Sequence, residues 1–200
     1  MSNKKLGKFI VFYGINNLGK STQADILIKK LKEKKIKAEY LKYPIYDFAP
    51  TGPFINKVLR GGKKQEISEH ELQMWYTLNR FQYEPRLKTK LEKGTWIIAE
   101  DYVGTGLSWG WTKGADLENL EAMNQPLLKE DLSIFFFGIR FLDGKEKVHL
   151  HEQNDKLMEK CQKKHHILAK KYHWQKINAN CTREEIANKI FKIVEKKFNL

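Results

Sequence analysis

Apolar runs with strand character alternate along this chain with segments whose apolar positions recur at helical spacing. Residues 8–14, KFIVFYG, form a short apolar run that stops at a glycine, as a buried strand does. Residues 22–35 then place Ala24, Leu27, Ile28 and Leu31 on one helical face. Residues 38–44, AEYLKYP, predict a second strand stopped by Pro44, and 51–61 predict a short helix that ends at Gly61 and Gly62. A long helix is predicted over 68–94, because Ser68 and Glu71 make a capping box at its start. Pro85 is expected to kink or divide that helix.

The second half repeats the pattern. Residues 95–101, TWIIAED, predict a third strand with acids at its C-terminal edge. Residues 104–114 predict a glycine-rich connection, 116–128 a helix and 131–138 a fourth strand. The polar stretch 139–155 has the composition of a loop, with a lid expected over about 139–153. A helix over 156–172, a fifth strand over 174–179 and an amphipathic helix over 183–198 complete the chain. Strands separated by helices imply an α/β fold with a five-stranded parallel sheet covered by helices on both faces. No repeat, low-complexity tract or linker interrupts it, so residues 1–200 are read as one domain.

Composition narrows the setting. No run of about 18 apolar residues predicts a membrane-spanning helix. The apolar run near the N-terminus lacks the length and cleavage site of a signal peptide. The two cysteines, Cys161 and Cys181, offer no disulfide framework, which suits a reduced cytoplasm. The net charge is +13, almost all of it lysine on apparent outer helix faces such as 29–35 and 159–166. No basic stripe is interleaved with aromatics, so nucleic acid is not expected as the main partner. The charge favours small anionic substrates instead.

The most specific chemistry lies in GINNLGKST, which joins the first predicted strand to the first predicted helix. Gly14, four residues, then Gly19, Lys20 and Ser21 have the spacing and context of a phosphate-binding P-loop. The backbone of Gly14, Ile15, Asn16, Asn17, Leu18 and Gly19 is expected to cradle the phosphates of ATP, with Lys20, Ser21 and Thr22 opening the helix. Lys20 would reach the β and γ oxygens, and the Ser21 hydroxyl would ligate Mg²⁺. A three-layer P-loop NTPase fold follows. Glu100 and Asp101 end the third strand, where ligands collect in open parallel sheets. One of them could hold the metal through water or take the acceptor's proton, with Glu100 the first choice for metal and catalysis.

Together these segments resemble the thymidylate kinases over nearly the whole chain. GINNLGKST resembles that family's phosphate loop, and YPIYDFAPTGPFINKVL its segment after the second strand. WYTLNRFQYEPRL, IIAEDYVGTGLSWG and DLSIFFFG match three further segments in order. The resemblance implies transfer of the ATP γ-phosphoryl group to thymidylate (dTMP), Mg²⁺ as cofactor and a homodimer paired through the helices before and after residue 100. It implies a base pocket of Tyr43, Pro44, Phe54, Tyr76 and Arg80, with Tyr76 stacking on thymine and Arg80 bonding its exocyclic oxygen. Asn16 stands where the family often has aspartate near the sugar. Asp101, Tyr102, Thr105 and Trp109 match the segment that closes on the sugar.

The departures concern cations. The family's Asp-Arg-Tyr is Glu100-Asp101-Tyr102 here, and a second arginine in the segment after the second strand corresponds to Ile45. Losing two cations from a phosphate site costs on the order of several kcal/mol unless others replace them. Lys42, Arg60, Arg86 and Lys113 are the candidate replacements. In the lid region Arg140 is the expected catalytic cation, beside Lys145 and Lys147, with a salt bridge at a strand end as its other reading. His149, His151 and Glu152 fit no standard zinc spacing. Two other functions remain open at this level. A deoxynucleoside kinase would need a carboxylate base, and a regulatory nucleotide binder would need no turnover.

Overall fold

The computed structural model describes residues 6–61, 65–141 and 155–200. Its elements follow the order β1 (Phe9–Tyr13), α1 (Lys20–Glu33), β2 (Ala38–Lys42), α2 (Thr51–Arg60), α3 (Glu69–Glu92) and β3 (Trp96–Glu100). Then come α4 (Val103–Thr112), α5 (Leu117–Asn124), β4 (Leu132–Phe137), α6 (Asp155–Lys171), β5 (Gln175–Asn178) and α7 (Arg183–Phe198). The strands form one parallel sheet in the order β2-β3-β1-β4-β5.

Alternation along β1 explains the three layers. Ile10 and Phe12 point to one face, where Leu27 and Leu31 of α1 and Ile190 and Val194 of α7 pack. Phe9, Val11 and Tyr13 point to the other, against Leu87 of α3, Leu107 of α4 and Leu168 and Ala169 of α6. A strand buried on both faces reads as a continuous apolar run, as FIVFY does. The helices begin on side-chain caps where the chain supplies them. Ser68 and Asp116 accept from the amides three residues on, and Thr182 with Glu185 forms a complete capping box.

One expectation is corrected. The glycine-rich segment after β3 is the helix α4 and not a loop. Its glycines serve close packing: a Cβ on Gly104 would lie 2.4 Å from the Trp174 ring. Of the two outcomes expected at Pro85, division does not occur: α3 runs through it from Glu69 to Glu92. The expected lid falls mainly on 142–153, outside the described residues, as do Lys145, Lys147, His149, His151 and Glu152. No helix among the described residues is long and apolar enough to cross a membrane. Cys161 is buried and Cys181 exposed, both as free thiols.

Candidate active site

The site is built where β1 and β3 end side by side. Residues 14–19 connect β1 to α1, with Asn17 and Gly19 at positive φ (63° and 76°). Successive turns of this kind aim backbone N–H groups into a shared concavity. The amides of Asn17, Leu18 and Gly19 make no hydrogen bond to another group among the described residues. The buried Lys20 ammonium donates to the carbonyls of Gly14 (2.8 Å) and Ile15 (2.9 Å), so it is held against the loop. It lies 3.6 Å from Asp101.

Glu100 is the hub of the second wall. It accepts hydrogen bonds from the Ser21 hydroxyl (2.5 Å) and the Tyr40 hydroxyl (2.7 Å), and Lys42 lies 3.2 Å away. The parallel register explains the last contact, because Lys42 and Glu100 are paired neighbours on β2 and β3. Burial pushes the Glu100 carboxyl up. The Lys20 and Lys42 charges, with the bonds from Ser21 and Tyr40, outweigh burial and hold it below the usual carboxylate range. Burial pushes the Asp101 carboxyl up, against the pull of Lys20 and with the push of the Glu100 charge. Asp101 accepts from Thr105 Oγ1 at 2.9 Å and has φ 59°, which turns it out of the strand.

Beyond Asp101 an open cleft of about 110 Å³ runs between α3, α4 and the segment after β2. Asn16, Tyr43, Pro44, Tyr76, Arg80, Asp101, Tyr102, Thr105 and Trp109 all line it. The sequence therefore brings nine of its ten expected substrate residues together. Phe54 is the exception. It packs tilted against Trp75 with ring centroids 4.2 Å apart and does not line the cleft.

Arg80 is fixed rather than free to swing. Its Nη1 donates to Asn124 Oδ1 (2.9 Å) and its Nη2 to the Tyr102 carbonyl (3.0 Å). Its Nε–H is buried and has no partner. Burial lowers its pKa, yet a guanidinium stays charged at ordinary pH. Gly106 makes room for it, since a Cβ there would stand 2.6 Å from Nη2.

Tyr46, Leu59, Gln73 and Gly106 also line the cleft and were not expected there. Gln73 shares the α3 face of Tyr76 and Arg80 at spacings of three and seven residues, a signal that would have found it. Tyr46, not Ile45, forms the wall after Pro44. Of the four candidate cations only Lys42 and Arg60 reach the cleft. Arg86 lies over the Phe48 ring, and Lys113 pairs with Glu69 at 2.9 Å.

Arg140 has a different engagement. Its Nη2 meets Asp155 at 2.5 Å, the strand-end salt bridge that the sequence offers as its other reading. Its Nη1 is buried without a partner. The next residue, Phe141, donates its backbone amide to the Asn17 carbonyl at 2.9 Å, so this segment lies against the phosphate loop.

The donor set suits Mg²⁺. Ser21 and Glu100 present hard oxygens beside the loop, and Mg²⁺ typically takes one or two protein oxygens plus substrate phosphates. Among the described residues no group of three His, Cys, Asp or Glu side chains could hold a metal by itself.

A phosphate loop, an acid at the end of β3 and an aromatic cleft bearing one fixed arginine thus occupy one end of the sheet. The family model for thymidylate kinase matches residues 12–194, which spans both walls of the site. The chain belongs to the thymidylate kinase family. Among thymidylate kinases it is similar to that of Plasmodium falciparum (isolate 3D7), at 30% identity over 97% of this chain and 92% of that protein. It is 28% identical to the thymidylate kinase of Dictyostelium discoideum, over 97% of this chain and 87% of that one. The solved thymidylate kinase of Candida albicans shares the fold, with a TM-score of 0.81 at 21% identity, covering 97% and 93% of the two chains. The family model includes the segment 103–112, so the glycine-rich helix α4 lies within the matched region.

Proposed function

We propose that this protein transfers the γ-phosphoryl group of ATP to thymidylate, giving ADP and dTDP. One observation carries the reading: Asp101 touches the phosphate-loop lysine and also lines the aromatic cleft, so donor and acceptor sites are continuous.

An acceptor phosphate oxygen attacks the γ-phosphorus while the bond to the β-phosphate oxygen breaks and ADP leaves. That oxygen is already anionic near neutral pH, so no strong base is required. Catalysis then rests on positioning and on charge compensation. Lys20 and the loop amides stabilise charge growing on the leaving ADP, with Gly14, Ile15, Asn16, Asn17, Leu18, Gly19, Ser21 and Thr22 surrounding the phosphates. Ser21 and Glu100 would hold Mg²⁺, which neutralises the β and γ phosphates when bound. Tyr76 stacks on the base and Arg80 hydrogen-bonds a thymine carbonyl, both residues lining the cleft. Tyr43, Tyr102, Thr105 and Trp109 enclose the sugar and base. Arg140 turns from Asp155 to the transferring phosphoryl. The protein works in the cytoplasm as a homodimer paired through α3 and α4. Met74 and Leu78, exposed and one helical turn apart on α3, support that pairing.

The direct test is coupled ADP release with each deoxynucleoside monophosphate in turn. Turnover with dTMP well above the other three is expected. Turnover with another monophosphate and none with dTMP would remove the substrate assignment.

A second reading has one observation in its favour. Asp101 puts a carboxylate where the family has a phosphate-gripping arginine, and a carboxylate suits a hydroxyl better than a phosphate. Phosphorylation of thymidine in preference to dTMP would establish that reading.

A further inference from the structure

We infer that Lys42 and Arg60, carried by β2 and α2, hold the phosphate of the acceptor nucleotide. This rests on the nucleotide-kinase reading above and names the residues that make it work in a chain with an aspartate after Glu100.

The first support is position. Lys42, Tyr46 and Arg60 all line the cleft that Asp101 and Asn16 join to the phosphate loop. Lys42 is anchored by sheet register beside Glu100, at the end of the sheet where the loop lies. The Arg60 guanidinium lies 4.5 Å over the Tyr46 ring and donates to Asn56 Oδ1 at 3.1 Å. Burial pushes the Tyr46 hydroxyl up, opposed by a hydrogen bond from Arg60 and by the charges of Arg60 and Lys42. Both cations thus act on one tyrosine, which makes the three a single basic edge.

The second support is the commitment of the other cations near the cleft. Lys20 donates to two loop carbonyls and faces Asp101. Both terminal nitrogens of Arg80 are bonded within the protein. Lys113 holds Glu69 and Gln65, and Arg86 lies on Phe48. Lys42 can leave Glu100 without stranding it, because Ser21 and Tyr40 still donate to that carboxylate. Its side chain is half exposed, so the movement does not disturb the core.

The third support is charge. A phosphate placed beside Asp101 alone would face a like charge. Lys42 and Arg60 at the cleft compensate it, and Asp101 keeps its contacts with Lys20 and Thr105.

The experiment compares equilibrium binding of dTMP and of thymidine to the full chain and to Lys42→Met, Arg60→Met, Lys42→Arg and Arg60→Lys. Wild type is expected to prefer dTMP. Each methionine variant should lose roughly 10- to 100-fold in dTMP affinity, with thymidine affinity within about twofold of wild type. The charge-conserving variants should keep most of the preference, and they remain readable if a methionine variant fails to fold. Methionine variants that retain the wild-type preference for dTMP overturn the assignment. So does a wild type that binds thymidine as tightly as dTMP. Absence of phosphoryl transfer to dTMP in wild type would instead defeat the proposed activity, while the binding comparison still decides the ligands.

Discussion

The Ser21 hydroxyl donates to the Glu100 carboxylate at 2.5 Å across 79 residues of sequence. It joins the first turn of α1 to the last residue of β3, tying the phosphate loop to the acidic strand end. Glu100 is held ionised there by Lys20, Lys42, Ser21 and Tyr40 against the cost of burial. Glu100→Gln keeps the shape and removes the charge. It should lower kcat on the order of 10²-fold and raise the Mg²⁺ concentration needed for half-maximal rate. A magnesium titration of the variant's steady-state rate checks both.

Lys20→Ala removes the only side-chain ammonium held against the loop carbonyls among the described residues. The expected result is a loss in kcat/KM for ATP on the order of 10³-fold. Coupled ADP release measures it. An unchanged rate would strip the loop lysine of its assigned part.

Gly106 gives the sharpest test of the acceptor cleft. An added methyl would sit 2.6 Å from Arg80 Nη2 and 3.1 Å from Gln73 Oε1. Gly106→Ala should therefore raise the KM for dTMP by about tenfold through Arg80 while leaving the KM for ATP near wild type. A stability loss of about 1–3 kcal/mol from overpacking should accompany it in denaturant titration.

His165 supplies a pH prediction away from the site. It is fully buried, stacked on Phe135, and its Nδ1 contacts the Cys161 carbonyl at 3.0 Å. Burial lowers its pKa to about 3, and the Lys20 and His166 charges push the same way, against the Cys161 carbonyl. Between pH 3 and 6.5 the unfolded chain binds a proton at this residue that the folded chain does not. Stability from this group is therefore complete above the unfolded pKa and is lost as pH falls toward the folded one, by up to about 1.4 kcal/mol per pH unit. Denaturant melts at pH 7 and pH 5 should show a smaller difference in His165→Leu than in wild type.

Much of this architecture is legible in the chain because its strands are buried on both faces. FIVFY and WIIAE read as unbroken apolar runs ending at functional residues, and the parallel sheet follows from the helices between them. The phosphate loop is legible because its chemistry demands residue types at fixed spacing. The helix α4 is not, because VGTGLSWGWT has the composition of a turn. Its glycines answer to Trp174 and Arg80, which lie 70 and 26 residues away from Gly104 and Gly106 respectively. Local preference allows a break at Pro85, and α3 nevertheless runs through it, with Leu87 packed in the core just beyond. Which face of α2 meets the cleft is not legible in the sequence: Phe54 lies against Trp75, while Leu59 and Arg60 line the cleft. Choosing among the four candidate cations is beyond the sequence for the same reason, as the partners of Arg86 and Lys113 are set by three-dimensional neighbours.

The central claim is tested most directly by following the label of γ-labelled ATP in a single turnover with dTMP and Mg²⁺. The account predicts label in dTDP, formed in step with ADP and absent when Lys20 is alanine. Label found only in inorganic phosphate, or in dTMP made from added thymidine with none in dTDP, would contradict it.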